Sequence, residues 1–359
     1  TIKKGAKCSM QSSEIVLYNL SKQAMKDGFQ FDRLYRHLYN EDFYIKAYSR
    51  IYKNKGSATK GVDEETADGF GEEKIQAIIE SLKNESYQPK PVRRIHISKK
   101  NGDTRPLGIP TFTDRLVQEV CRMLIAAIYE PNFSSHSHGF RPERSCHTAL
   151  VEIKKTFTGV NWFIEGDIKG FFDNINHQVL INILRKRIKD EKFIRLMWKF
   201  LKAGFVEDWR FQKTYSGTPQ GGILSPLLSN IVLNELDWWV ASRWETIPTR
   251  TNREYSKTDK KGNVVIDRSQ KWSMLREKSK LKEIYIVRYA DDFKIFCRDY
   301  GTAKKTYTAV VKWLKERLSL EISEEKSGIT NLKKNYMEFL GIKIRAVSKS
   351  GKYAVRSHM

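Results

Sequence analysis

The stretch Ile284-Tyr285-Ile286-Val287-Arg288-Tyr289-Ala290-Asp291-Asp292-Phe293-Lys294-Ile295-Phe296-Cys297 decides how this chain folds. Two runs with strand character flank Tyr289-Ala290-Asp291-Asp292, which reads as a tight β-hairpin with adjacent carboxylates at its tip. Neighbouring like charges repel, so stability does not explain the pair, whereas a bound divalent cation would. On its own an Asp-Asp pair is more often a solvated turn or a helix cap. Here a second strand-like run, Trp162-Phe163-Ile164-Glu165, leads to Asp167 upstream. Three aspartates on two strands, meeting in space, can hold a pair of Mg²⁺ ions roughly 4 Å apart for in-line attack on a phosphate.

Bulk properties point to the same partner. The 359 residues are enough for a sizeable core and two or three subdomains. A net charge of +23 and a pI near 9.7 favour a polyanion. The basic residues are spread along the chain and no apolar run approaches the roughly 18 residues that span a bilayer, so nucleic acid is preferred over a membrane. Nor does the N-terminus carry the hydrophobic segment of a signal peptide. Cys8, Cys121, Cys146 and Cys297 show no CxxC spacing and read as reduced thiols of a cytoplasmic protein. His136 and His138 with Cys146 and His147 suggest a zinc site, but the spacing fits no finger or knuckle, and a structural or phosphate-neighbouring role is preferred.

Helical periodicity is expected over 12–53, 72–84, 114–129 with Asp114 as its cap, 177–188, a long apolar segment after Gly217 to about 243, and 303–318. Strands are expected at Val92–Ile97 and in the last forty residues. Lys99-Lys100-Asn101-Gly102-Asp103-Thr104 reads as a hairpin turn. Residues 244–283 are charged and read as a surface insertion. Strands and helices mix without βαβ regularity, so the class is α+β.

Two further segments carry chemistry. Lys99 (or Lys100) and Arg105, on a two-stranded ribbon, can reach one triphosphate, although an isolated basic hairpin is more often a solvated edge. Gly217-Thr218-Pro219-Gln220-Gly221-Gly222-Ile223-Leu224-Ser225-Pro226-Leu227-Leu228-Ser229-Asn230 leads through glycines into an apolar helix, where backbone can approach a ligand; an ordinary loop-to-helix junction looks alike.

These motifs carry a resemblance. Tyr289-Ala290-Asp291-Asp292 resembles the YxDD motif of reverse transcriptases, and Asp167-Ile168-Lys169-Gly170-Phe171-Phe172-Asp173 their first catalytic motif. The run from Gly217 to Asn230 is similar to the PQG segment of group II intron-encoded reverse transcriptases, also called maturases. The segments 89–115, Asn54-Lys55-Gly56-Ser57 with Gly61-Val62-Asp63, Ser137-His138-Gly139-Phe140-Arg141-Pro142, and Phe339-Leu340-Gly341 resemble the same family, over about 50–345. Ser98 departs from it where a proline is usual.

The resemblance implies a right-hand fingers–palm polymerase core with an antiparallel palm sheet and flanking helices. It implies an N-terminal helical extension over 1–50 that binds RNA, fingers over 51–160 with some palm exchange, and palm over 161–345 with the insertion 244–283. It also implies that 346–359 begins a connection to a thumb lying outside this sequence. The implied activity is RNA-directed DNA synthesis on a primer–template duplex with dNTPs, together with binding of the parent intron RNA in splicing. Asp167, Asp291 and Asp292, with the Ile168 carbonyl, would hold two Mg²⁺, with Mn²⁺ as a substitute. Lys99 and Arg105 would clamp the triphosphate, while Gln220 and Gly221 would lie against the nucleotide. Phe172 would bar a 2′-hydroxyl, unless it is the adjacent Phe171 that faces the site. The alternatives are an RNA-binding splicing cofactor with an idle site, or another bacterial reverse transcriptase type. Whether two copies pair is open.

Overall fold

The computed structural model describes residues 11–98, 102, 104–156, 159–218, 221–251, 253–258, 262, 264–349 and 352–358. The helices in chain order are α1 (Ser13–Ala24), α2 (Glu41–Tyr52), α3 (Glu72–Lys83), α4 (Phe112–Tyr129), α5 (Cys146–Thr156), α6 (Phe171–Asn174), α7 (His177–Arg185), α8 (Glu191–Lys202), α9 (Ser225–Ala241), α10 (Ser269–Lys278) and α11 (Tyr300–Trp313). The strands are β1 (Val92–Ser98), β2 (Thr104–Ile109), β3 (Trp162–Gly166), β4 (Phe205–Glu207), β5 (Arg210–Gln212), β6 (Tyr255–Thr258), β7 (Val264–Asp267), β8 (Ile284–Tyr289), β9 (Asp292–Cys297), β10 (Gly328–Asn331), β11 (Met337–Phe339), β12 (Ile342–Lys349) and β13 (Lys352–His358). They fall into two compact units. One comprises Thr1–Phe133, Gly170–Val232 and Arg317–Leu320; the other comprises Ser134–Lys169, Leu233–Glu316 and Glu321–Met359.

In the first unit α4 is the central element and packs against α1 and α2. Leu116, Val117, Val120, Cys121, Leu124, Ile125 and Ile128 are all fully buried, in the i, i+3/i+4 pattern of its apolar face. Burying each large aliphatic side chain contributes about 1.5–3 kcal/mol. Its cap is not Asp114. The helix starts two residues earlier, and the Thr111 hydroxyl accepts from the Asp114 amide at 3.1 Å while donating to its carboxylate at 2.8 Å. Asp114 therefore sits inside the first turn and also accepts from the Lys90 amide at 3.0 Å and from the Tyr87 hydroxyl. Burial nevertheless pushes its carboxyl above the ordinary range. The sheet of this unit has the order β2-β1-β4-β5, with β1 and β4 parallel and the other pairs antiparallel.

The second unit is built on an antiparallel sheet of order β10-β3-β9-β8. Helix α5 covers β8, and α11 covers β3 and β9. Because both faces are covered, β8 and β9 read as nearly continuous apolar runs. Beyond α11 the chain continues as a π-helix over Leu314–Leu318. Strands β11, β12 and β13 form a separate meander. The segment 244–283 is not surface throughout: the β6–β7 hairpin is largely exposed, but Trp244, Lys271, Leu275 and Glu283 are buried.

Thr111→Ala is expected to lower unfolding stability by about 1 kcal/mol through loss of the cap. Thr111→Ser should restore it, and urea titration followed by circular dichroism distinguishes the two.

Candidate active site

The β8–β9 hairpin turns within two residues. Tyr289 pairs with Asp292, and Ala290 takes a left-handed φ of 58° so that the chain reverses at Ala290-Asp291. Strand β3 lies antiparallel on the other side of β9, with Glu165 opposite Lys294 and Gly166 opposite Phe293. Asp167 is the next residue, so the pairing carries it to the end of the sheet where Asp291 and Asp292 stand. Gly166 is required there, because a Cβ would fall inside the ring of Phe293.

The electrostatics agree with this convergence. Burial raises the Asp167 carboxyl above its ordinary value, and the Asp291 charge raises it further, against the opposing pull of Lys326. Burial likewise raises Asp292, opposed by Lys294 and aided by Asp291. Lys294 is almost fully buried, paired with Glu165 and with Asp292 Oδ1 at 3.0 Å. Asp292 is thus tied to a protein cation.

Asp167 is held by its backbone. Its amide donates to Ser327 Oγ at 3.0 Å, and its carbonyl accepts from the Ser323 amide at 2.8 Å. The Lys169 amide donates to the Glu321 carbonyl at 2.9 Å, and these two bonds flank an antiparallel bridge that sets Ile168 opposite Ile322. Among the described residues no three ligating side chains form a ready-made cage for an ion. Mg²⁺ is ordinarily held by one or two carboxylates completed by substrate phosphates and water, and hard oxygen donors such as Asp167 and Asp291 suit it.

A second layer fixes the turn. Arg288 is fully buried; its Nη1 donates to the Ala290 carbonyl at 2.7 Å and its Nη2 to Ser137 Oγ at 2.8 Å. Asp237 of α9, also fully buried, accepts from Nε at 2.9 Å and from Nη2 at 2.6 Å. Residues 136–138 add a short parallel ladder: Arg288 N donates to the His136 carbonyl and His138 N to the Arg288 carbonyl, both at 2.9 Å. Gly139 then passes so close to the turn that a Cβ would overlap the Ala290 amide. The two histidines meet carboxylates. His136 and His138 both hydrogen-bond Glu152, His138 Nδ1 lies 2.8 Å from Thr148 Oγ1, and His136 Nε2 lies 3.0 Å from Glu245 Oε2. Burial opposes the charge on His136, but Glu152 and Glu245 outweigh it and raise the imidazolium to about 10.

The other described site residues, Arg105, Phe172 and Gly221, lie in the first unit. Thr218 N donates to the Phe172 carbonyl at 2.7 Å, Gly217 N to the Ile175 carbonyl at 2.7 Å, and a Cβ on Gly217 would stand 2.7 Å from the Phe172 carbonyl. Gly221, at a φ of 102°, presses on β2: a Cβ there would stand 2.6 Å from the Gly108 carbonyl, three residues along from Arg105. A cavity of about 330 Å³ opens beside them, lined by Arg94, Gly108, Asp173, Lys213, Gly217 and Thr218. Of the two adjacent aromatics, Phe171 is buried in the core and Phe172 is half-buried. Lys99 and Gln220 lie outside the described residues, as does Lys100. Lys294, Arg288 and Asp237 were not singled out from the sequence. A lone cation inside an otherwise apolar strand was the available signal for the two bases.

These motifs and their arrangement define a class. The chain belongs to the reverse transcriptase (RNA-dependent DNA polymerase) family, whose model matches residues 97–344, and with it to the α+β fingers–palm class of fold. Proteins of this family use divalent metal ions. The group II intron-encoded protein LtrA of Lactococcus lactis subsp. cremoris is 44% identical over 97% of this chain, which spans 63% of that protein. The resemblance carried by the motifs thus returns over nearly the whole chain. Protein YkfC of Escherichia coli (strain K12) is 33% identical, covering 93% of this chain and 88% of that protein. Among solved structures, apo telomerase from Candida tropicalis is similar at a TM-score of 0.47 and 14% identity, over 72% of this chain and 47% of that one.

The stabilising contribution of the raised His136 is complete below about pH 6.5 and is lost as pH rises through about 10. His136→Asn is therefore expected to flatten the fall of melting temperature across that window, read by differential scanning fluorimetry. Gly139→Ala should cost about 1–3 kcal/mol of stability by overpacking the turn, measured by urea titration.

Proposed function

We propose that this chain catalyses RNA-directed DNA synthesis, and the observation that carries the reading is the convergence of Asp167, Asp291 and Asp292 at one end of the β3–β9–β8 sheet. Asp167 and Asp291, with the Ile168 carbonyl, would hold two Mg²⁺ or Mn²⁺ ions. The chemistry such ions supply is activation of the primer 3′-hydroxyl and neutralisation of the triphosphate as pyrophosphate leaves. Asp292 would act beside them with its charge partly offset by Lys294. Arg105 and Lys99 would grip the triphosphate, Gln220 and Gly221 would seat the nucleotide, and Tyr289 would support the primer end. Phe172, the less buried of the two aromatics, would collide with a 2′-hydroxyl and so select dNTPs.

In this reading the N-terminal extension and residues 51–133 of the fingers fall in the first unit, which also takes Gly170–Val232 from the palm, and the carboxylate-bearing part of the palm falls in the second. The +23 net charge supports a primer–template duplex and a structured RNA, the parent intron, as partners. Among the described residues no helix is long and apolar enough to cross a membrane. Cys121, Cys146 and Cys297 are free thiols, which supports a cytoplasmic setting. A splicing role in addition to synthesis is favoured by the likeness to an intron-encoded protein.

Primer extension on an RNA template with a DNA primer and Mg²⁺ tests the proposal. Extension is expected with dNTPs and not with NTPs, and Asp291→Ala should abolish it. RNA binding without extension would sink the polymerase reading and leave the splicing role.

A further inference from the structure

The hairpin of β4 and β5 in the first unit is built oddly for a structural element. It turns at Asp208-Trp209, with φ of 48° and 63°, a conformation that hairpins normally give to Asn or Gly. A tryptophan in left-handed backbone is strained, and this one is 99% exposed, so packing does not repay it. A single exposed apolar residue is unremarkable, but Trp209 has company. Phe211 is 55% exposed and Tyr215 is 83% exposed.

The register pairs Val206 with Phe211, setting them on the hairpin face opposite to Phe205 and Gln212. The Phe211 face borders a cavity of about 500 Å³ lined also by Trp198, Lys202, Lys213 and Tyr215. Lys202 Nζ stands 4.7 Å from the centre of the Trp198 ring.

We propose that this hairpin face is a binding site for unpaired RNA, distinct from the carboxylate site. Bases stack on the rings of Trp209, Phe211 and Tyr215, and phosphates are met by Lys202 and Lys213. Every base offers a π-face, so aromatic platforms interleaved with cations bind single strands with little sequence preference. A protein partner would favour a continuous apolar patch with cations at its rim. Here cations share the cavity wall with the rings: Lys213 with Phe211 and Tyr215, and Lys202 over Trp198. Two rows of chemistry, flat apolar and positive, run together, as a single strand requires. The proposal deepens the reading of the chain as an RNA-directed polymerase and supplies a grip on RNA outside the duplex.

The test is fluorescence anisotropy with labelled oligouridylate and, in parallel, a labelled RNA duplex, over a range of salt. Trp209→Ala and Tyr215→Ala change exposed residues and should leave the melting temperature unchanged. Each is expected to weaken oligouridylate binding about 5- to 150-fold with duplex binding and salt slope retained, while Trp209→Phe recovers most of it. Lys213→Gln should reduce the salt slope by about 1. Oligouridylate should also quench a tryptophan emission component that Trp209→Ala lacks. Unchanged oligouridylate affinity in Trp209→Ala, or an equal loss for duplex, overturns the proposal. Self-association abolished by Trp209→Ala at constant RNA affinity overturns it in favour of a second copy of the chain. Primer extension separates the two readings: no synthesis by the wild type, with the aromatic variants still impaired in oligouridylate binding, removes the polymerase and keeps this site.

Discussion

The second unit depends on a guanidinium placed where no water reaches it. Arg288 lies within a strand of Ile, Tyr and Val, and burying such a charge costs several kcal/mol unless it is fully paired. The fold meets this by burying Asp237 opposite it, and it uses the remaining donors on Ser137 Oγ and the Ala290 carbonyl. One cation thereby joins helix α9, the segment 136–138 and the hairpin turn. The arrangement is worth little as net stability compared with an apolar replacement. Its value is geometric, because a misplaced turn would strand two unpaired charges in the core. The carboxylates at the hairpin tip inherit that intolerance of error.

Gly139 and Gly166 extend the same constraint. Both sit where another group has taken the room a side chain would need: the Ala290 backbone in one case, the Phe293 ring in the other. Close approach lets 136–139 act as a clamp on the turn and lets β3 deliver Asp167 to the level of Asp291. In the first unit Gly217 and Gly221 do comparable work, pressing the loop before α9 against the Phe172 carbonyl and against β2. Motifs far apart in the chain become neighbours only because these positions have no Cβ.

Local patterns made much of this legible beforehand. The β8–β9 hairpin, β1, α3 and α4 follow from alternation and helical period, and the carboxylates from their place at the ends of apolar strands. The cap of α4 was misread because Asp and Thr are both good caps, and only the geometry shows which hydroxyl reaches which amide. Helix α8 carries as clear a period as α3, with Phe193, Met197, Phe200 and Leu201 on one face, and was legible in principle. Strands β4 and β5 were not, since three residues are too few to show a period. The pairing of His136 and His138 with Glu152, and of Arg288 with Asp237, joins residues that no spacing rule connects. Such contacts are products of sheet order.

Lys294 carries one further consequence. A cluster of aspartates with no counter-ion would push its own strands apart. An ammonium built into β9, held by Glu165 and Asp292, is a resident counter-ion that never leaves. The tip of the sheet can therefore stay assembled on charges of its own.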